Sequence, residues 1–287
     1  MKQEKLTINS ARVFLRHQLA SYYPGKELNA IIKIILNHIS GKDRTFILAN
    51  PGHEISSFNW IKVNKICDDL KNMKPVQYIT GQTDFYGSVF EVAAATLIPR
   101  QETEELVDLV IKDIKKTSPA ILDIGTGTGC IAISLALNIE GALVTATDSS
   151  EGALSVATAN ADRHEVAVNF IHDDILHPDI KKYGQYDLVV SNPPYITESE
   201  KTGMGKNVVL WEPHDALFVP DDNALIYYRH ILELNRKVLK SCGKVFFEIN
   251  ENKAEELKNM LVKYGYKDIG IINDIHGKNR IIKGIKR

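Results

Sequence analysis

Between residues 28 and 39 apolar side chains recur at helical spacing, at Leu28, Ile31, Ile32, Ile34, Ile35 and Ile39, and Gly41 stands where a helix would stop. Segment 58–73 repeats the pattern with Trp60, Ile61, Ile66 and Leu70 ahead of Pro75. Turn signals at Tyr23-Pro24-Gly25 and Asn50-Pro51-Gly52 separate the elements. Residues 5–80 therefore predict a small all-helical unit. The pattern then changes. Residues 83–92 are aromatic and β-branched around Gly87, which predicts a β-hairpin.

From about residue 101 short apolar runs alternate with amphipathic segments. Strands are predicted at 121–124, 142–148, 168–171, 187–192 and 244–249, and helices at 130–138, 152–162, 224–240 and 253–264. Two further strands flank His276-Gly277-Lys278. Apolar strands alternating with helices predict a mostly parallel sheet covered on both faces, α/β and doubly wound, with an antiparallel hairpin at one end. The predicted organisation is a helical domain over 1–75, a β-hairpin linker over 76–100 and a larger α/β domain over 101–287.

Composition changes this picture little. The 287 residues are 44% hydrophobic, 25% charged and 8% aromatic, as in an ordinary globular chain, which excludes disordered, collagen-like and coiled-coil classes. No run approaches 20 continuous apolar residues, and the first 18 residues carry charge throughout with no apolar signal-peptide core. A cytoplasmic protein without membrane contact is expected. Cys67, Cys130 and Cys242 are scattered and unpaired in sequence, and the nine His form no ligand-like pattern, so neither a disulfide framework nor a metal is expected.

Charge is more informative. Residues 1–83 hold 12 Lys and Arg against 6 Asp and Glu, a net of +6, while the remaining 204 hold 23 against 30, a net of −7. A basic segment beside an acidic one suggests separate domains. Two explanations stay open, a surface that meets an acidic partner and a lysine-biased solvated surface. No RNA-binding motif, zinc finger or basic leucine zipper decides between them.

The first strand of the α/β part runs into Gly125, Thr126, Gly127, Thr128 and Gly129, and a helix follows at once. Glycines permit a tight turn and close approach of a ligand, and a helix N-terminus offers unpaired N–H groups. Asp148 stands 23 residues past Gly125 at the end of the second strand, where an acid accepts from ribose hydroxyls in nucleotide-binding folds. The spacing is GxGxG rather than GxGxxG, and there is no GK[ST]. A single nucleoside ligand is favoured over a dinucleotide. The loop resembles that of class I methyltransferases, which bind S-adenosylmethionine.

The strand at 187–191 ends in Asn192, Pro193, Pro194 and Tyr195. In open α/β sheets ligands bind beyond the carboxyl ends of the strands, so this turn should share a crevice with the glycine loop. The Asn192 side-chain oxygen and the Pro193 carbonyl are two acceptors for the two hydrogens of a planar NH₂ group. The prolines stiffen the turn and bring no competing N–H. Tyr195 can lay its ring on a planar substrate group. Such nitrogens are poor nucleophiles, and accepting both hydrogens returns electron density to them.

Over nearly its whole length the chain resembles the release-factor glutamine methyltransferases, formerly called HemK. The resemblance rests on Pro75-Val76-Gln77-Tyr78-Ile79-Thr80-Gly81, Phe85-Tyr86-Gly87, and Ile98-Pro99-Arg100-Gln101-Glu102-Thr103-Glu104. It continues through LDIGTGTGCIAISLA, VVSNPPYI, Glu212-Pro213, Ala216-Leu217-Phe218, and Asp274 and Gly277 ahead of Arg280. It implies a class I, Rossmann-like methyltransferase domain behind a helical substrate-recognition domain. The implied activity is transfer of a methyl group from S-adenosylmethionine, leaving S-adenosylhomocysteine, to the side-chain amide nitrogen (N5) of the glutamine in the Gly-Gly-Gln motif of peptide chain release factors. By resemblance Gly125–Gly129, Asp148 and Asn192 hold the cofactor, Asp174 and Ile175 flank its adenine, and Asn192–Tyr195 hold the glutamine. Transfer would be direct, in line at the sulfonium, with no dedicated base and no metal, in a monomer that binds no nucleic acid directly.

Two departures from the family pattern stand out. Gln101 replaces a usual proline, and Val219-Pro220-Asp221-Asp222-Asn223 replaces a usually glycine-rich turn near the substrate. Arg100 and Glu102 are either parts of the pocket wall or partners in an ion pair. Two rival functions use the same motifs. One is an N6-adenine-type methyltransferase acting on DNA or RNA, which would flip a base and bind phosphates, against the −7 charge of residues 84–287. The other is a non-enzymatic cofactor-binding adaptor, which leaves Asn192 unexplained.

Overall fold

The computed structural model describes residues 6–287, and the charged residues 1–5, including the start of the predicted helical stretch, lie outside them. Contacts divide the chain into two units, one of residues 1–81 with 205–211 and one of 82–204 with 212–287.

The first unit is helical. It holds α1 (Ile8–Leu19), α2 (Gly25–Ser40), α3 (Arg44–Ala49), α4 (Ser57–Lys71) and α5 (Val76–Thr80). Helix α1 starts on a Thr7–Ser10 capping box, and α2 stops at Gly41, whose φ of 63° is the left-handed conformation glycine adopts without strain. Leu15, Leu19, Leu28, Ile35, Val63 and Leu70 interlock in one core, from which Ile34 and Ile61 point outward. Trp211, at the end of the segment that joins this unit, donates from Nε1 to the Asn72 carbonyl at 3.0 Å.

The second unit opens with a hairpin, β1 (Gln82–Phe85) and β2 (Ser88–Glu91). Tyr86 and Gly87 both have positive φ, as a two-residue type I′ turn requires. The expected linker over 76–100 is corrected here. Residues 76–81 close the helical unit, and the hairpin belongs to the larger one because Phe85 and Phe90 are buried in its core with Leu106, Val110 and Ile133. In chain order there follow α6 (Gln101–Asp113), β3 (Ala120–Ile124), α7 (Cys130–Asn138), β4 (Leu143–Asp148), α8 (Glu151–Arg163), β5 (Val168–His172) and β6 (Tyr186–Ser191). Beyond them come β7 (Ile196–Thr197), α9 (Lys206–Trp211, in the first unit), β8 (Phe218–Val219), α10 (Ile226–Val238), β9 (Leu239–Glu248), α11 (Ala254–Lys263), β10 (Tyr266–Asn273) and β11 (Asn279–Lys286).

Among the described residues the main sheet has the order β10-β11-β9-β6-β3-β4-β5, with β9 to β5 parallel and β11 antiparallel to both its neighbours. Alternation along the strands fills two cores. Ile121, Leu188, Val190 and Phe246 face α6 and α7, while Leu122, Ile124, Val189, Val245 and Phe247 face α10 and α11. No helix among the described residues is long and apolar enough to cross a membrane. The order reverses between β3 and β6, so the two chemistry-bearing turns lie side by side at the carboxyl ends of adjacent parallel strands.

Candidate active site

The two turns are tied together where they leave the sheet. Ser191 Oγ, the last side chain of β6, donates to the Ile124 carbonyl, the last of β3, at 2.6 Å. Beyond Ile124 the N–H groups of Gly125 and Thr126 both donate to the Thr147 carbonyl at 2.9 Å, which folds the loop over the end of β4. Gly125, Gly127 and Gly129 have φ of 74°, 56° and 80°, all in the left-handed region. A Cβ on Gly129 would lie 2.9 Å from Ile133 Cδ1 and 3.1 Å from Ala157 Cβ, so this glycine lets α7 and α8 close on each other. At Gly125 and Gly127 a Cβ would meet no atom of the described residues within 4 Å.

Asp148 closes the loop from the side. Its carboxylate accepts from Gly127 N at 2.8 Å and from Ser150 N at 2.9 Å. Burial raises its pKa, and the N–H groups of Ser150 and Gly127 pull against that. Beneath the loop Asp123 is fully buried, and burial pushes its carboxyl up to about 7. Thr126 Oγ1 donates to Asp123 Oδ2 at 2.6 Å. Behind the loop Asn160 is also buried. Its Nδ2 donates to the carbonyls of Thr128 at 2.9 Å and Glu91 at 3.0 Å, and its Oδ1 accepts from Glu91 N at 2.7 Å.

Residues of both turns line one cavity of about 450 Å³, a size suited to a small ligand. Of the residues singled out from the sequence, Gly125, Gly127, Asp148, Asp174, Ile175, Asn192, Pro193 and Pro194 form its walls. Thr126, Thr128, Gly129 and Tyr195 do not. Thr126 and Thr128 are buried in the packing around the loop, and the Tyr195 ring packs on the core beneath the sheet. The Asp174 carboxylate is engaged locally, by Leu176 N at 2.9 Å and His177 Nδ1 at 3.1 Å. Cys130, just past the loop, is buried, and its thiol is pushed up to about 12, which leaves it protonated.

On the other side Asn192 Nδ2 donates to Thr103 Oγ1 at 3.1 Å, and Thr103 Oγ1 donates to Glu248 Oε2 at 2.6 Å. Tyr195 OH donates to Glu248 Oε1 at 3.0 Å, and Tyr228 OH to the Glu248 carbonyl at 2.8 Å. Glu248 is fully buried, and burial raises its pKa against the donors of Thr103 and Tyr195. Asn192 Oδ1 accepts no hydrogen bond among the described residues.

The expected choice for Arg100 is corrected. Its guanidinium pairs with Glu212, whose carboxylate also accepts from Ile98 N at 3.2 Å, and not with Glu102. Residues two apart at a helix start point to different sides, so Glu102 is poorly placed to reach it. Glu104 instead caps the hairpin turn, accepting from Tyr86 N at 2.8 Å. In the unusual turn 219–223, Asp221 Oδ1 accepts from Ser199 N at 3.1 Å and Ser199 Oγ at 2.6 Å, which holds the stretch after Tyr195.

Sequence reasoning passed over Asp123, Thr103 and Glu248, as well as the cavity walls Ala95–Leu97, Pro213, Asp215 and Tyr227. Thr103, Asp123 and Pro213 carried a signal, since they lie in the Pro-Arg-Gln-Glu-Thr-Glu, LDIGTGTG and Glu212-Pro213 segments on which the family resemblance rests.

Residues 101–217 match the family model described as methyltransferase small domain, and residues 10–81 the one described as PrmC N-terminal domain. Among solved structures, a methyltransferase from Pyrococcus furiosus superposes with a TM-score of 0.51 at 19% identity, covering 80% of this chain and 99% of that one. The fold is that of the class I methyltransferases. The chain is 41% identical over 275 residues to the release factor glutamine methyltransferase of Bacteroides thetaiotaomicron, covering 96% of this chain and 99% of that protein. It is also 41% identical over 282 residues to that of Flavobacterium psychrophilum, covering 97% and 99%. The chain belongs to the release factor glutamine methyltransferase family.

Proposed function

We propose that this protein methylates the side-chain amide nitrogen, N5, of the glutamine in the Gly-Gly-Gln motif of peptide chain release factors, with S-adenosylmethionine as methyl donor. The observation that carries the reading is a single cavity walled by the glycine loop and Asp148 on one side and by Asn192-Pro193-Pro194 on the other. Relatives named release factor glutamine methyltransferase across nearly the full chain support it.

The residues present fit the donor. Gly125 and Gly127 leave open space where any side chain would intrude. Asp148 Oδ2 accepts from Gly127 N of the loop and Oδ1 from Ser150 N at the start of α8, and lone pairs remain for ribose hydroxyls. Asp123, buried beneath the loop with its carboxyl pushed up to about 7, supplies a negative charge in its ionised form, which suits a cationic ligand. Asp174 and Ile175 supply a wall for the adenine. When bound, S-adenosylmethionine supplies a methyl group already activated by its sulfonium.

The work left to the chain is positioning and hydrogen bonding. Asn192 Oδ1 and the Pro193 carbonyl accept the two hydrogens of the incoming carboxamide, orient its nitrogen and oppose delocalisation of its lone pair. Tyr195 is held by Glu248 and packs beneath the turn, which supports its shape. The helical unit, within the segment of net charge +6, engages the body of the release factor. The rival substrate, an adenine of DNA or RNA, presents similar hydrogens but must approach a segment of net charge −7.

The test is mass spectrometry of release factors incubated with the protein and methyl-labelled S-adenosylmethionine. Label on the glutamine of Gly-Gly-Gln, absent after Gln→Ala in that motif, is the expected result. Label on the Gln→Ala control, or on nucleic acid instead, overturns the assignment.

A further inference from the structure

An asparagine at an acceptor site has two faces, and only one is useful. Turned one way, Asn192 offers its carbonyl to the substrate amide. Turned by half a rotation it offers NH₂, a donor facing a donor. The two orientations have nearly the same shape, so packing alone selects weakly between them, and hydrogen bonding has to decide.

Thr103 Oγ1 carries one hydrogen. Glu248 Oε2 lies 2.6 Å away, its other oxygen accepts from Tyr195 OH, and the nearby Arg280 cation favours the carboxylate form, which only accepts, so that hydrogen goes to Glu248. Toward Asn192 the hydroxyl is then an acceptor. The side-chain atom of Asn192 that faces it at 3.1 Å has to be Nδ2, which leaves Oδ1 for the cavity. Both supports are buried, Thr103 at 3% and Glu248 at 1% exposure, so water is poorly placed to scramble the sequence of donors. Tyr195 OH on the other oxygen of Glu248, and Tyr228 OH on its carbonyl, hold that residue in turn.

We infer that Thr103, oriented by Glu248, is a positioning residue that locks the Asn192 amide with its carbonyl toward the substrate. The inference rests on the proposed function. It adds that the acceptor character of the site is set by a relay from a buried acid on a neighbouring strand. It also gives the Pro-Arg-Gln-Glu-Thr-Glu segment a role at the reacting end of the cavity, through the third residue of α6.

The test uses the full-length protein with two variants and one measurement on the unmodified chain. Thr103→Val keeps the side-chain volume and removes the hydroxyl, and Thr103→Ser restores it. In single-turnover methylation of a release factor, Thr103→Val should be slower by an order of 10²-fold, as expected when a reacting group loses its alignment. Its affinity for S-adenosylmethionine should be unchanged, and Thr103→Ser should recover most of the rate. In the unmodified protein, ¹⁵N-detected hydrogen exchange of the Asn192 side-chain amide should be slower than for exposed asparagines. That protection should vanish in Thr103→Val and return in Thr103→Ser.

A folded Thr103→Val that transfers methyl at the normal rate overturns the inference, and so does fast exchange of the Asn192 amide in the unmodified protein. The exchange measurement needs no variant, so it decides even if Thr103→Val fails to fold. If the unmodified protein leaves the Gly-Gly-Gln glutamine unmethylated, the proposed function fails, and amide exchange still decides the orientation by itself.

Discussion

The end of the cavity proposed for the methyl donor, here the donor end, is shaped mostly by main chain, and the end proposed for the substrate amide, here the acceptor end, is aimed mostly by side chains. At the donor end, left-handed glycines, the carbonyl of Thr147 and the N–H groups that cap Asp148 set the shape, and most of those groups lie within a few residues of a strand end. At the acceptor end a single amide is aimed by a hydroxyl 89 residues earlier in the chain, which is itself aimed by a carboxylate 145 residues away from that hydroxyl. A backbone-built site is rigid and tolerant of its neighbours' identities. A relay of side chains is specific but fails if any member loses its hydroxyl or charge. The two ends should therefore fail in different ways.

The largest effect is expected at Asn192. In the proposed mechanism, replacing it by alanine removes an acceptor used in the transition state, so single-turnover methylation should slow by about 10²–10³-fold. Cofactor affinity, measured by calorimetry, should barely move, and a comparable loss of affinity would break the separation of the two ends. Asn192→Asp keeps one acceptor oxygen and should fall between the two.

Gly129→Ala strikes the donor end through the fold. Left-handed backbone costs roughly 1–2 kcal/mol for a residue with a side chain, and overpacking against Ile133 and Ala157 adds about 1–3 kcal/mol. Chemical denaturation should show a lower unfolding midpoint. Unchanged stability would mean that α7 and α8 part more easily than their packing suggests.

Asp148→Ala should weaken binding of both S-adenosylmethionine and its demethylated product by about 1–3 kcal/mol, the range for a charge-assisted hydrogen bond. The rate at saturating cofactor should stay close to normal. Part of the loss comes from freeing Gly127 N, so Asp148→Asn, which keeps an acceptor, should lose less.

The smallest effect is in pH. Asp123 titrates at about 7 in the free protein, so it is mostly neutral below that value and ionised above it. A bound cation favours the ionised form. Cofactor affinity should therefore drop a few-fold as pH falls through neutrality, and Asp123→Asn should flatten the profile. A steep profile that persists in Asp123→Asn would shift the effect to Asp148.

The same contrast explains what the sequence disclosed. The glycine loop, Asp148 and Asn192-Pro193-Pro194-Tyr195 are local patterns whose chemistry follows from residue type and strand position. The parallel orientation of β3, β4 and β6, though not their order, followed from apolar runs alternating with helices. Thr103 and Glu248 announce nothing locally, since a threonine in a helix and a glutamate ending a strand are ordinary until the sheet brings them together. Arg100 was ambiguous for the same reason, because its partner Glu212 lies 112 residues on. The hairpin looked like a linker because β1 and β2 are only four residues each, and only packing shows Phe85 and Phe90 inside the core.

Asn160 connects events in time as well as in space. One side chain on α8 satisfies the Thr128 carbonyl of the glycine loop and both main-chain groups of Glu91 on the hairpin. The loop can complete its hydrogen bonding only when α8 has packed, and the same amide is fully occupied only when the hairpin has docked. Assembly of the donor end is thus gated by a strand pair from outside the main sheet. During refolding, competence to bind S-adenosylmethionine should emerge together with burial of Phe90 rather than with formation of the central strands. An early intermediate with the sheet already paired would be blind to its ligand.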